Sequence, residues 1–386
     1  MSIILYEKAI EKYEITYYNY STKLKEKKSM KVLTYTGPRA LEVNDAASKA
    51  LKPDHVRIAT MYTGISHGTE MNIYRGDAPQ WTKVQDPKTR LFEEPAEGQN
   101  AWTYPISSNQ DGVWWMGYAA VGKVIEIGAE VKNIAVGDVV YVVAPHESEI
   151  VVWEGLCTKL PDGIDYRTGI FLNNLNTAFN GILDSRIKLG DYVVVSGLGV
   201  LGQLIAQLAK KSGAIVIGID GYDLRLNKAK ELGAIDYAFK AGKGTAEKVK
   251  ELTDYRGADL VIEASGSTRG LQEAIRMAAY DGNVTCISWY HGPYDVLDFS
   301  GEFHHNRVTI RTSHTCAIDK AISNTWDMKR RNETCVKLLS ELKLSDLITT
   351  QIDFNDAPKA YEQIDKHGEQ VIQTILDYTK INEEIL

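Results

Sequence analysis

The central part of the chain alternates fully apolar segments with amphipathic ones. Four of its segments lack the period-two alternation of a half-buried strand, namely YVVVSG, AIVIGID, DLVIEAS and NVTCIS, and apolar residues recur at helical spacing between them. Strands that are apolar on both faces and separated by helices are typical of a parallel sheet covered on both sides. The pattern therefore predicts an α/β class fold with a Rossmann-type, doubly wound parallel sheet over residues 171–312.

The flanking segments have a different pattern. Short strands rich in Val, Ile and Tyr are bounded by Gly, Pro and Asp in MKVLTYTG, HVRIATMYTGIS, AAVGKVIEIG and DVVYVVAP. Such strands predict an antiparallel, barrel-like β domain. After residue 312 the chain again has mixed α and β character and reaches a strand at VIQTILDY. We expect one catalytic domain made of residues 30–170 and 313–386, with the doubly wound domain inserted between its two parts.

Residues 1–29 precede a natural-looking start at Met30. We interpret them as an N-terminal extension, which is either a segment that lies on the surface or an over-long gene start. Charge interrupts its first hydrophobic stretch after five residues, so it does not resemble a signal peptide.

Charge and cysteine content exclude several functional classes. The formal net charge is −7, and the densest basic stretch, residues 23–31, is short and interrupted by polar residues, so no nucleic-acid partner is expected. The chain has no apolar run of the roughly 18 residues that would span a bilayer, so no membrane partner is expected either. Its four cysteines have no paired spacing, which argues against disulfides and predicts a cytoplasmic protein.

A glycine-rich turn follows the first apolar strand of the predicted sheet. It reads Gly197-Leu198-Gly199-Val200-Leu201-Gly202 and leads directly into a helix. In this context Gly197 permits a tight turn, Gly199 lets the backbone approach a pyrophosphate, and Gly202 lets the helix contact the strand. Val200 and Leu201 begin the helix, whose amides can bind phosphate. The sequence therefore predicts dinucleotide binding, and the alternative is a purely structural turn.

The next strand supplies the residue that selects the cofactor. Asp220 ends that strand 18 residues after Gly202, where a carboxylate is expected to accept the ribose hydroxyls. A carboxylate would repel a 2′-phosphate, which favours NAD over NADP, although Arg225 lies close enough in sequence to help bind either cofactor. Ser265 and Ser288, at the ends of the next two apolar segments, complete the predicted cofactor site.

Several motifs together resemble the medium-chain dehydrogenase/reductase superfamily. They are TGISHGTEMNIYRG, MGYAAVGKVIEIGAEVKNIAVGDVV, KLGDYVVVSGLGVLG and DLVIEASGS followed by DGNVTCIS, and the resemblance extends from Met30 to Tyr378. It implies a GroES-like β-barrel catalytic domain beside the Rossmann domain. It also implies an NAD-linked enzyme that acts on an alcohol or ketone, and a homodimer. The segment GIS-x-GTE with its GY motif is most similar to a zinc-independent branch that includes the bacteriochlorophyllide-type hydroxyethyl dehydrogenases.

The chain departs from this family at the positions of the catalytic zinc ligands. Either Ser66 or His67 falls on the first cysteine position, Tyr118 replaces the histidine of the Gly-His-Glu motif, and Leu172 falls on the third position. Tetrahedral zinc needs at least three converging N, S or O ligands. The resemblance therefore implies an enzyme without a metal. Gln373 replaces an arginine that often binds the pyrophosphate, so we expect either weaker cofactor binding or another cation in that role.

Without zinc, side chains must carry the alcohol proton. The resemblance implies Thr69 as the relay hydroxyl, Tyr118 as a phenol facing the cleft, His67 as the titrating end of the relay and Glu70 as the residue that orients them. Asn176 is added because an Asn in an apolar helix needs a hydrogen-bond partner. The alternatives stay open: Thr69 caps a turn, Tyr118 only fills the core, and His67 faces solvent.

An aromatic-rich stretch before Tyr118 contains Trp81, Trp102, Tyr104, Trp114 and Trp115, and is expected to be a substrate lid or a subunit contact.

The leading hypothesis for the function is a zinc-independent NAD-linked enzyme that interconverts a secondary alcohol and a ketone, on a sugar-like, cyclitol or secondary-metabolite substrate. The alternatives are an enoyl or quinone reductase, and a nucleotide-sensing protein without catalysis.

Overall fold

The computed structural model describes residues 29–78, 81–96, 102–110, 116–290 and 294–386. Most of the predicted N-terminal extension, together with Trp114 and Trp115, lies outside these ranges. Within them, no helix combines the length and apolar character required to cross a bilayer. The domain boundaries drawn from the sequence stay a prediction.

The first part of the described chain is mainly β structure with one helix. Its strands are β1 (Ser29–Gly37), β2 (Ala40–Ala47), β3 (His55–Gly64), β4 (Val84–Gln85), β5 (Phe92–Glu93), β6 (Ile106–Ser107), β7 (Ala120–Ile127), β8 (Val139–Val142), β9 (Glu149–Trp153) and β10 (Cys157–Lys159). The helix α1 (Thr69–Arg75) follows β3 and ends at Gly76, whose φ of 83° is the left-handed conformation that glycine adopts without strain.

The central part alternates helices and strands. Its elements are α2 (Leu172–Ser185), β11 (Tyr192–Ser196), α3 (Val200–Lys211), β12 (Ile215–Asp220), α4 (Asp223–Glu231), β13 (Tyr237–Lys240), α5 (Thr245–Leu252), β14 (Ala258–Glu263), α6 (Thr268–Met277), β15 (Ala278–Cys286) and β16 (Thr309–Thr312). The last part contains α7 (Met328–Leu338), β17 (Ile348–Asp353), α8 (Ala357–Lys366) and β18 (Gln373–Asp377).

Two large sheets organise these elements. One has six strands in the order β13-β12-β11-β14-β15-β16, and all of its pairings are parallel. This is the strand order of a doubly wound nucleotide-binding sheet, in which ligands bind at the carboxyl ends of the strands where the order reverses. The predicted α/β class and its parallel sheet are confirmed.

The second sheet is mixed and joins distant parts of the chain. Six of its strands follow the order β10-β8-β7-β3-β18-β17, and β9 also pairs with β3. Strand β18, near the end of the chain, runs antiparallel to β3 through the pairs Ile375–Gly64 and Asp377–Tyr62. The end of β3, where the predicted catalytic residues begin, is therefore held in place by a segment more than three hundred positions away.

The largest apolar cluster connects the helices α2 and α3 with the parallel sheet and reaches the mixed sheet. Phe171, Leu175, Val195 and Ile205 in it are fully buried, and Ile375 of β18 belongs to the same cluster. Burying aliphatic and aromatic side chains of this size stabilises a fold by about 1.5–3 kcal/mol each. The two sheets thus share one continuous core, which fixes the residues at their facing ends.

Candidate active site

Three hydroxyl side chains converge where β3 ends and α1 begins. The Tyr118 phenol donates a hydrogen bond to Ser66 Oγ at 2.6 Å, and the Thr69 backbone N–H donates to the same oxygen at 3.3 Å. The Thr69 hydroxyl also interacts with the phenol. We call Ser66, Thr69 and Tyr118 the hydroxyl cluster. Thr69 and Tyr118 were predicted from the sequence, and Ser66 had been noted only as a substitute for a zinc ligand.

The environment of Tyr118 keeps its phenol protonated. Burial raises the pKa of Tyr118 to about 12, and the nearby Glu70 carboxylate adds to this rise, whereas the hydroxyls of Ser66 and Thr69 oppose it. At neutral pH the phenol therefore acts as a hydrogen-bond donor. In the hydroxyl cluster it can donate to a carbonyl oxygen. It can take an alcohol proton only while it passes its own to Ser66 and Ser66 releases its hydroxyl proton to solvent.

Glu70 lies directly behind the hydroxyl cluster and is fully buried. Its Oε1 accepts the Ser66 backbone N–H at 2.8 Å, and its Oε2 accepts the Tyr361 phenol at 2.9 Å. The same Oε2 lies 2.7 Å from His146 Nε2. Glu70 is thus placed to orient Ser66 rather than to contact a substrate. Tyr361 and His146 were missed in the sequence because neither belongs to a local motif.

The helix α2 brings Asn174 to the hydroxyl cluster instead of Asn176. Asn174 Oδ1 lies 3.4 Å from the Tyr118 phenol. Asn176 donates to Leu172 O and to Asn332 Oδ1, both at 3.0 Å, and its own Oδ1 accepts from Arg331 at 3.2 Å. The partners of Asn176 therefore hold α2 against α7, and its predicted catalytic role has no contact with the cluster in the described residues.

His67 lies in an environment unlike the one expected for the end of a proton relay. Its Nε2 is buried and has no hydrogen-bond partner among the described residues. Burial lowers the pKa of His67 to about 3, and the positive charges of Arg225 and Arg75 lower it further. The imidazole is therefore neutral near pH 7, which differs from the near-neutral titration expected of a relay end. Its charged neighbour Arg225 places it on the side of the predicted cofactor site.

The glycine-rich turn has the geometry that its sequence predicts. Gly197 has φ +91°, and a Cβ there would come within 2.6 Å of the Ser265 backbone. A Cβ on Gly202 would lie 1.8 Å from Gly197 O, so no larger residue fits against the turn. By contrast, the nearest atom to a Cβ on Gly199 is Arg225 Nη1 at 3.9 Å. The turn is thus open on the side where the N-terminus of α3, with Val200 and Leu201, presents its amides.

Asp220 and Arg225 lie together beside this turn. The Asp220 carboxylate accepts the Leu198 and Tyr222 backbone N–H groups at 2.7 and 2.8 Å, and Arg225 Nη1 lies 3.7 Å away. Arg225 also stacks on the Tyr222 ring, and its buried Nε has no partner among the described residues. Gln373, at the family's usual arginine position, donates instead to main-chain carbonyls. Arg225 thus places a positive charge beside Asp220 and the open face of the turn.

The two predicted serines belong to a hydrogen-bonded group at the end of β14. The Ser265 N–H donates to Glu263 Oε1 at 2.9 Å, and its hydroxyl donates to the same oxygen. Ser288 Oγ accepts the Gly266 N–H at 2.9 Å, and the Tyr290 phenol donates to Glu263 Oε2. Burial raises the pKa of Glu263. Ser265 and Ser288 thus shape the edge that faces the glycine turn, and Glu263 and Tyr290 were missed in the sequence.

Comparisons with known proteins give the family. A family model described as zinc-binding dehydrogenase matches residues 200–329. The D-guloside 3-dehydrogenase of Escherichia coli K12 is 31% identical over 353 residues, which cover 89% of this chain and 99% of that protein. The chain belongs to the zinc-binding dehydrogenase family. A second relative, the sorbitol dehydrogenase of Halalkalibacterium halodurans, is 32% identical over 60% of this chain and 62% of that protein.

A solved structure shows the same fold. The crystal structure of 2R,3R-butanediol dehydrogenase from Bacillus subtilis superposes with a TM-score of 0.71 at 21% identity, and it covers 90% of this chain and 99% of that one. By their names, the two relatives in sequence are dehydrogenases of a guloside and of sorbitol. The family assignment therefore makes this chain an oxidoreductase of the dehydrogenase type.

The residues at the family's zinc positions do not fit a zinc ion. Ser66, rather than His67, faces Tyr118, and these two side chains are hydrogen bonded to each other. Leu172, at the third position, is apolar and buried. Within the described ranges, no group of three His, Cys, Asp or Glu side chains could hold a metal ion. Two hydroxyls and a leucine lack the nitrogen, thiolate or carboxylate donors that zinc binds.

The residues do fit a nicotinamide dinucleotide. The open face at Gly199, the amides of α3 and the unpartnered Arg225 Nε suit a pyrophosphate, and the Asp220 oxygens have lone pairs left for ribose hydroxyls.

The aromatic stretch before Tyr118 forms a separate group of packed rings. Trp81 stacks on Tyr104 with ring centroids 4.3 Å apart, and Trp102 meets Trp81 edge-on. Its role as lid or subunit contact stays a prediction.

Proposed function

We propose that this protein interconverts a secondary alcohol and a ketone on a sugar-like substrate, with NAD and without a catalytic zinc. The observation that carries the proposal is the hydroxyl cluster, in which Ser66 and Tyr118 stand at two positions where the family resemblance implies zinc ligands and are hydrogen bonded to each other. The assignment to the zinc-independent branch rests on the same residues.

The proposed chemistry divides between cofactor and protein. When bound, NAD supplies the hydride acceptor for the carbinol carbon. The protein must then take the hydroxyl proton. The Tyr118 phenol accepts it while passing its own proton to Ser66 Oγ, 2.6 Å away, and Ser66, which is partly exposed, releases its hydroxyl proton to solvent. In the reverse direction the same phenol donates to the ketone oxygen, and its pKa near 12 keeps it protonated for that role.

The substrate class follows from the polar character of the site. Ser66, Thr69, Tyr118 and Asn174 place hydroxyl and amide groups around one point, and 31% identity to a D-guloside 3-dehydrogenase favours the secondary hydroxyl of a glycoside or polyol. A site built to hydrogen bond substrate hydroxyls rejects analogues that lack them by roughly 10⁴–10⁵. Simple secondary alcohols should therefore be poor substrates.

The preference for NAD follows from Asp220. Its carboxylate is buried at the end of β12, beside the turn that faces the cofactor. A 2′-phosphate placed there would meet a negative charge, which Arg225, with its Nη1 3.7 Å from the carboxylate, would offset in part. We expect this balance to favour NAD, because the carboxylate accepts ribose hydroxyls but repels phosphate.

The test is turnover on a substrate panel after dialysis against a strong chelator. Glycosides, polyols and simple secondary alcohols are each assayed with NAD⁺ and NADP⁺ by absorbance of the reduced cofactor at its near-ultraviolet maximum. We expect NADH formation with polyhydroxylated substrates. Turnover confined to NADPH with enones or quinones would favour an enoyl or quinone reductase. Cofactor binding with no turnover of any substrate would favour a nucleotide-sensing protein.

A further inference from the structure

A histidine outside every sequence motif lies at the centre of the buried network behind the hydroxyl cluster. His146 lies between β8 and β9, is fully buried, and donates its backbone N–H to Met116 O at 3.0 Å. The proposed reaction does not use it. Burying an imidazole this deeply requires that both of its nitrogens have partners, which makes those partners informative.

The imidazole contacts the supports of two members of the cluster. Its Nε2 lies 2.7 Å from Glu70 Oε2, and the other Glu70 oxygen holds the Ser66 N–H. Its ring also lies against Gly117, the residue before Tyr118. A Cβ on Gly117, which has φ +117°, would come within 3.0 Å of His146 Cδ2 and 3.1 Å of Nε2. One ring therefore contacts both segments that carry Ser66 and Tyr118.

The hydrogen bonds around the ring show which nitrogen donates to Glu70. Thr63 Oγ1 lies 2.7 Å from His146 Nδ1 and 3.1 Å from the Tyr378 phenol, so Nδ1 has a partner of its own. A carboxylate oxygen only accepts, so Nε2 carries a proton and donates it to Glu70 Oε2. This direction is assigned from hydrogen bonding.

We propose that His146 is a positioning residue for the reaction: its Nε2–H fixes Glu70 and hence Ser66, while its ring fixes Gly117 and hence Tyr118. The proposal rests on the proposed alcohol chemistry, since it concerns the alignment of the relay. Groups that hold catalytic side chains within a few tenths of an ångström affect turnover more than cofactor binding. Loss of the Nε2–H should therefore lower kcat and leave the KM for NAD unchanged.

Two isosteric variants separate this role from simple core filling. His146→Gln places an amide donor near the position of Nε2, and His146→Asn places it near Nδ1, so only the first keeps the bond to Glu70. We expect kcat to fall at least about tenfold in His146→Asn and to stay within about threefold of wild type in His146→Gln. His305→Asn, at an exposed histidine, is the matched control.

Thr63→Val extends the test if His146→Asn does not fold. It removes the hydroxyl that fixes the ring's tautomer and keeps the side-chain shape, so kcat should fall at least about threefold. Equal losses in the Asn and Gln variants, a loss confined to the KM for NAD, or wild-type rates in Thr63→Val would overturn the proposal.

A spectroscopic measurement keeps this proposal separate from the proposed function. Protein labelled with 3-fluorotyrosine gives a Tyr118 resonance that is assigned by its loss in Tyr118→Phe. That resonance should shift in His146→Asn and remain near its wild-type position in His146→Gln. If wild type turns over no substrate, the proposed function fails, and the resonance still decides the role of His146. Equal shifts in both variants, or no shift in either, would refute the positioning role.

Discussion

Removal of the Tyr118 hydroxyl is the sharpest test of a metal-free relay. Tyr118→Phe keeps the ring and its packing against the main core cluster, and deletes only the phenol that donates to Ser66 Oγ at 2.6 Å. The fold should lose little, because a net hydrogen bond contributes about 0.5–1.5 kcal/mol to stability. The change therefore separates a catalytic role from one of filling space.

The expected loss of rate in Tyr118→Phe depends on what the phenol hydroxyl does while the hydride is transferred. A hydrogen bond to a group that develops charge is worth about 1.5–3 kcal/mol, which corresponds to about a 10- to 150-fold loss of rate. If the phenol also transfers the proton, the loss approaches the 10²–10⁴ typical of general acid–base catalysis. We expect at least a tenfold loss of kcat with NAD affinity unchanged, and Ser66→Ala should show a similar loss.

The effect of Tyr118→Phe on the rate is also expected to be independent of pH over a defined range. The pKa of Tyr118 is raised to about 12 and that of His67 is lowered to about 3, so neither group ionises between about pH 5 and 9. The ratio of wild-type to Tyr118→Phe rates should therefore be constant over that range. The assay is steady-state reduction of NAD⁺ with the best substrate of the panel, together with a fluorescence titration of NADH. Near wild-type rates in both Tyr118→Phe and Thr69→Val would refute the relay.

Three further predictions concern the cofactor, the metal and acid stability. Asp220→Ser should weaken NAD by about 10- to 150-fold, the equivalent of 1.5–3 kcal/mol, and relieve discrimination against NADP; a wild-type preference for NADPH in titration would contradict this. Protein purified without a histidine tag should hold below about 0.1 zinc per chain and stay active in chelator; stoichiometric zinc at Ser66, His67 and Tyr118 would disprove it. Because the folded pKa of His67 is about 3 and its unfolded value is near 6.5, stability should fall as pH drops below about 6.5. His67→Gln should therefore lose less melting temperature than wild type between pH 7 and 5, and equal losses would contradict the buried, neutral imidazole.

The parallel sheet was predictable because its signals are local. Unbroken apolar runs and the turn from Gly197 to Gly202 each lie within a few residues, so their pattern alone indicates strand, turn and helix. The elements that sequence reading missed, β13, α5 and β16, are short. The strands among them, Tyr237–Lys240 and Thr309–Thr312, have only four residues each and take their form from neighbours in the sheet.

The candidate site was only partly predictable because it depends on distant contacts. Thr69 and Tyr118 belong to local motifs, so the sequence alone predicts them as site residues. His146 and Tyr361 pair with Glu70 across 76 and 291 positions, and no local pattern marks them. On α2, Asn174 and Asn176 are two positions apart, which is about 200° of rotation around the helix axis, so their side chains lie on roughly opposite faces. The sequence pattern does not show which of these faces meets the phenol. Only the packing of the helix shows that Asn174 is the one near the phenol.

The late position of strand β18 in the sequence affects the order in which the two sheets are expected to form during folding. Thr63 bonds to Tyr378 across 315 positions, whereas the strands around the glycine turn pair mostly with near neighbours in the sequence. Contacts between remote segments form slowly because loop-closure entropy must be offset first. A chain still folding can therefore assemble its nucleotide-binding sheet before β18 docks. We expect the hydroxyl cluster to form only when that strand pairs with β3, so the sheet proposed to bind the cofactor should form before the candidate active site is complete.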